Sequence, residues 1–157
     1  MNSLIINTLS IATMLLSLSC AHDNHADHAH HHGHDHTCAV HQGEDKNGLN
    51  ALEAPGEFEN IHIEKLYSDS LATSFVIWVK DSVASHKHLQ HTENIYVLEG
   101  EAKMTLGKDT LIIKKGDLLF VPKNTFHSVL SVNSQKALKV LSVQSPEFNG
   151  TDRIFEY

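Results

Sequence analysis

The sequence predicts an all-β domain, a sandwich or barrel of short strands, preceded by a long segment of different character. Three observations predict it. From residue 61 onward, apolar residues recur with period two in short runs bounded by turn residues. Those runs are rich in β-branched and aromatic side chains. No stretch of ten or more residues in this region carries a helical period.

The elements follow in order. Ile61 and Ile63 alternate with His62 and Glu64 and open the first strand. Residues 71–79 read LATSFVIWV, the second. Residues 94–98 (NIYVL) and 102–106 (AKMTL) flank Glu99-Gly100-Glu101 and read as a hairpin, with both carboxylates solvated. Gly107-Lys108-Asp109 turns the chain into residues 110–113 (TLII). Lys114-Lys115-Gly116-Asp117 is the next turn, and residues 118–121 (LLFV) stop at Pro122. Residues 126–132 and 138–143 complete the set.

The chain has 157 residues, which suggests one domain. The expected division is a leader at 1–20, an arm and linker at 21–60, the barrel at 61–150 and a tail at 151–157. The formal charge is −7, and Lys and Arg form no cluster, which argues against nucleic acid as a partner. Cys20 and Cys38 both precede the barrel. The domain therefore has neither a disulfide nor a cysteine zinc site.

Residues 4–18 (LIINTLSIATMLLSL) are apolar and uncharged, and short for a membrane span of about 20 residues. They have the length of a signal-peptide core. Ser19 before Cys20 resembles a bacterial lipoprotein signal, although Ser17 stands where such signals usually carry Leu. That resemblance implies lipidation at Cys20 and a protein anchored in the periplasm or cell envelope. Ordinary secretion with a plain thiol and an uncleaved anchor are the alternatives.

Residues 22–41 hold nine of the fourteen histidines: His22, His25, His28, His30, His31, His32, His34, His36 and His41. The segment has too little apolar surface to offset the entropy of ordering and is expected to be a flexible tether. Imidazole suits zinc, copper and nickel, so an unselective accessory metal site is one reading. A solvated spacer is the other.

Inside the domain, His86 and His88 are two apart, so in a strand both rings face one side. Glu93 follows a bend, and His127 follows the Pro122 turn. Three imidazoles and a carboxylate suit Mn, Fe, Co, Ni, Cu or Zn. On an octahedral ion they leave two positions open. His91 is a competing ligand, but a continuing strand would put it on the opposite face, in a supporting or exposed position.

Residues 85–100, SHKHLQHTENIYVLEG, resemble the first motif of the cupins through His86, His88, Glu93 and Gly100. Residues 116–127, GDLLFVPKNTFH, resemble the second through Gly116, Pro122 and His127. The departures are Lys80 and Asn124 in place of glycines and Ser131 in place of an asparagine. Asn124 tolerates positive φ, which preserves the turn. The resemblance covers roughly residues 60–150. It implies a jelly-roll-like double-stranded β-helix with one divalent metal ion in its mouth, and a tendency to dimerise.

No nucleophile constellation and no phosphate loop accompany these residues, so chemistry would come from the metal. Tyr96, Met104, Phe120, Phe126 and Trp78 are candidate pocket residues, with the core as the alternative. Two functions follow as expectations. One is a metal-dependent dioxygenase or isomerase on a small organic molecule. The other is a non-catalytic metal-handling or ligand-binding lipoprotein.

Overall fold

A computed structural model describes residues 48–132 and 136–156. The leader, Cys20, Cys38 and the histidine arm lie outside them. The described chain forms two five-stranded sheets, in line with the period-two pattern. The first runs, edge to edge, β1 (Ile61–Ser68), β2 (Thr73–Val79), β9 (Leu138–Ser145), β4 (Thr92–Glu99) and β7 (Leu118–Val121). The second runs β10 (Ile154–Phe155), β3 (Ser82–Lys87), β8 (His127–Ser131), β5 (Glu101–Leu106) and β6 (Asp109–Lys114). All pairings are antiparallel.

The hairpin expected at residues 94–106 is not one. β4 pairs with β7 and β9, whereas β5 pairs with β6 and β8, so the chain changes sheets at Gly100. Gly100 has φ +83, and a Cβ there would lie 3.0 Å from the Ala137 carbonyl oxygen. A corner and a hairpin both need a glycine at positive φ, so local sequence does not separate them.

Between the sheets sits a core that includes Val79, Val97, Met104, Ile113, Val121 and Leu138. A second cluster, Val76, Trp78 and Leu98, occupies the outer face of the first sheet. Burial on both faces explains why β2 reads as a nearly continuous apolar run. The cover on that outer face is Leu49, Leu52, Ala54 and Phe58, from the segment read as the end of a linker. The buried Lys139 Nζ secures it by donating to the carbonyls of Asn50 and Leu52.

Candidate metal centre

Two neighbouring strands of the second sheet bring the first two histidines together. His86 on β3 is the register partner of His127 on β8, and their ring centroids are 4.2 Å apart. His88 stands just past the end of β3. Its carbonyl accepts the amide of Asn124, which adopts φ +61 as the turn after Pro122 requires. Glu93 arrives from the opposite sheet, on β4 between Val121 and Gln144. The site thus lies between the sheets, and all four side chains are buried.

Hydrogen bonds decide which atoms remain free. The Nδ1–H of His86 donates to Ala84 O (2.9 Å), that of His88 to Asp152 O (2.6 Å) and that of His127 to Thr125 O (3.1 Å). A carbonyl only accepts, so each Nδ1 carries a proton, and a ring with no second proton turns an Nε2 lone pair inward. This is how metal-binding imidazoles are held. Ligand-capable nitrogens of the three rings lie within 4.8 Å of one another. Glu93 Oε1 accepts from Ser142 Oγ (2.5 Å) and Gln144 Nε2 (3.3 Å). Its Oε2 faces His127 Nε2 at 3.3 Å and His88 Nε2 at 3.9 Å. His88 Nε2 is buried with no hydrogen-bond partner among the described residues. A cation about 2.1 Å from each of two ligands at roughly 90–110° sets those ligands about 3.0–3.4 Å apart. The donor set suits a transition-metal ion; the His127–Glu93 pair has the spacing of two ligands on one ion, and the His88–Glu93 pair at 3.9 Å would close by about 0.5 Å around it.

The electrostatics agree. Burial, and then the neighbouring His127, lower His86 to about 4. Burial also lowers His88. Burial alone would raise Glu93, but the facing His127 and the Ser142 hydroxyl outweigh it and bring the carboxyl to about 2. Near neutral pH the site therefore offers an uncharged His86 ring and an ionised carboxylate.

The His91 ring lies beside that of His88, with centroids 6.1 Å apart. It is buried, and both ring nitrogens face acceptors: Nδ1 meets Asp152 Oδ2 at 2.6 Å and Nε2 meets Glu147 O at 2.8 Å. Asp152 also accepts the amides of Leu89, Gln90 and His91. Burial would raise Asp152, but the His91 ring and these amides bring it to about 2. The segment read as a tail is therefore part of the site: the carbonyl of Asp152 orients His88, and its carboxylate clasps the loop after it. Phe148 sets its ring edge-on to those of His88 and His91, at 5.4 and 5.2 Å.

A cavity of about 80 Å³ opens from His86, Glu93 and His127 into the barrel. Its walls are mainly aliphatic, among them Ile61, Ile63, Ile77 and Val129, and Met104 lines it as expected. The four other candidate pocket residues do not. Tyr96 and Phe120 alternate with buried neighbours and lie exposed on the outer face of the first sheet. Phe126 borders a separate depression and packs under Lys87 Nζ. Trp78 belongs to the outer-face cluster. Period-two alternation gives two faces, and spacing alone does not say which one carries the pocket.

Residues 74–144 match the Cupin domain family. An uncharacterized protein of Methanocaldococcus jannaschii is 32% identical over 91 residues, which are 58% of this chain and 71% of the relative. This chain belongs to the cupin superfamily. A structure from Klebsiella pneumoniae, described as an uncharacterized conserved protein with a double-stranded beta-helix domain, has a TM-score of 0.59 to this cupin at 16% identity. It covers 70% of this chain and 95% of that one. Quercetin 2,3-dioxygenase of Bacillus subtilis is 42% identical over 48 residues, 31% of this chain and 14% of that enzyme.

The sequence reading of this cupin missed Ser142, Gln144, Phe148, Asp152 and Arg153. Ser142 and Gln144 left a signal. They continue the inward positions of Leu138 and Val140 on β9, and polar residues on an inward face need partners there. Asp152 and Arg153 left none, because their positions depend on how the chain returns after β9.

Proposed function

We propose that this cupin is a metal-dependent enzyme, of the dioxygenase or isomerase kind, acting on a small organic molecule in the barrel mouth. The observation that carries the reading is the orientation of the rings. His86, His88 and His127 each fix Nδ1 on a backbone carbonyl and turn Nε2 away from it, and the Nε2 atoms of His88 and His127 face Glu93 Oε2. His86, His88, Glu93 and His127 would hold one Mn, Fe, Co, Ni, Cu or Zn ion. Such an ion supplies Lewis-acid activation, or oxygen binding where it is redox-active, at positions the protein leaves open. The aliphatic cavity beside it excludes water and holds the organic part of the substrate. The similarity to quercetin 2,3-dioxygenase over 48 residues favours the oxygenase class.

Metal content separates this reading from an empty barrel. Full-length wild type and His88→Ala carry the same histidine arm, so its contribution cancels between them. Wild type should retain one more equivalent of metal after dialysis. Equal content in the two proteins would refute the site.

The nine histidines of residues 22–41 favour a second reading. In it the chain is exported, anchored through a lipid on Cys20, and hands metal from the arm to the barrel as a monomer or homodimer. Deleting residues 22–41 should then lower cellular metal content or tolerance. Radiolabelled fatty acid should appear on wild type and not on Cys20→Ala.

A further inference from the structure

Three buried side-chain atoms lack any hydrogen-bond partner among the described residues: His88 Nε2, Gln144 Oε1 and Arg153 Nε. A buried polar atom without a partner is destabilising, so three at one site point to something that satisfies them. His88 Nε2 belongs to the metal set described above. The other two face a different need. Gln144 and Arg153 both line the cavity beside His86 and His127, and both line the groove that adjoins it. The Gln144 amide cannot turn over, since Nε2 must donate to the Glu93 carboxylate, and Oε1 is therefore fixed as an acceptor. Arg153 has no carboxylate or carbonyl partner among the described residues. Its guanidinium lies 5.8 Å from the Phe148 ring centroid, a cation–π contact that holds the plane without satisfying its N–H groups. An unpaired guanidinium over a largely apolar cavity is suited to a carboxylate.

We infer that the cavity takes a short aliphatic hydroxycarboxylate, with its carboxylate on Arg153, its hydroxyl donating to Gln144 Oε1 and its hydrocarbon part against Ile61, Ile63 and Ile77. This names the substrate class of the proposed active site and rests on that reading for the role of the ligand. The binding itself does not rest on it.

Chelator-treated full-length protein is titrated calorimetrically with 2- and 3-hydroxybutyrate, with butyrate and with the two hydroxybutyramides. At least one hydroxybutyrate should bind about tenfold or more tightly than its amide, and more tightly than butyrate. Arg153→Gln should bring acid and amide within about twofold of each other, and Arg153→Lys should keep part of the preference. Lys65→Gln, on the adjoining groove, should leave it unchanged. Wild type that does not distinguish acid from amide overturns the inference without reference to any variant. So does a preference that survives Arg153→Gln or vanishes with Lys65→Gln. Because the titration is metal-free, equal metal content in wild type and His88→Ala would remove the proposed metal centre while leaving this result standing.

Discussion

Two histidine clusters meet at His88, and they differ in what their ring nitrogens face. In the first, His86, His88 and His127 each bind one backbone carbonyl through Nδ1, and the Nε2 atoms of His88 and His127 face Glu93. In the second, His91 sits between Asp152 and Glu147, with an acceptor at each nitrogen. Burial is nearly the same in both: His86 and His91 are each 5% exposed. Burial and residue type therefore do not make a ligand. An available lone pair does, and the partner of the other nitrogen determines it.

The largest expected effect breaks the two clusters apart. His86→Ala and His127→Ala should each abolish the equivalent of metal held by the barrel, whereas His91→Ala should keep it. Elemental analysis of dialysed full-length proteins checks this, with the arm common to all of them. A loss of the equivalent in His91→Ala would make the second cluster the metal site.

The next effect is a pH dependence whose upper limb comes from the open cluster, while Asp152 of the closed cluster joins Glu93 at the acid end. His86 titrates at about 4 in the folded protein against 6.5 ordinarily. Between those values the unfolded chain binds more protons, so stability falls as pH drops from about 6.5 to about 4 and is complete above that window. The loss is about 3 kcal/mol. Glu93, at about 2 against 4.5, adds a second loss below about 4.5. Thermal denaturation of chelator-treated protein from pH 7 to pH 3 should show both, and His86→Gln should flatten the upper limb.

The sequence made the open cluster legible and the closed one illegible, for a physical reason. Spacing of two in a strand brings His86 and His88 to one side, and the turn after Pro122 delivers His127, so local geometry suffices for those ligands. The fold class was legible for the same reason, since alternation is local. The sheet change at Gly100 and the return of residues 147–156 onto the loop after β3 depend on contacts distant in sequence. Asp152 lies 61 residues from His91, and no periodicity reports on that pairing.

Asp152→Ala tests the dependence of one cluster on the other. It removes the carboxylate that holds the amides of Leu89, Gln90 and His91, and so loosens the carbonyl that orients His88. Metal affinity should fall about 10–100-fold with stoichiometry intact, as when second-sphere partners of metal-bound imidazoles are removed. Competition with a chromophoric chelator measures it. An unchanged affinity would mean that the backbone carbonyl of residue 152 keeps its place on His88 without the carboxylate.

The smallest effect concerns the carboxylate, whose two oxygens repeat the contrast between engaged and open atoms. Oε1 accepts from Ser142 and Gln144, and Oε2 faces the imidazoles. Ser142→Ala deletes one donor and leaves the Gln144 amide, so Glu93 stays in place with one oxygen less tightly fixed. Metal affinity should drop less than about tenfold, because the bond lost goes to the oxygen that does not face the imidazoles and the Gln144 amide still holds it. The Ser142 hydroxyl is one of the groups that hold Glu93 low, so its removal should make the acid-side loss of stability smaller and end it at higher pH. Those two readouts separate two roles. A shifted acid limb with unchanged metal affinity would make Glu93 a buried charge that organises the site without binding the ion, and the ligand set would shrink to the three histidines.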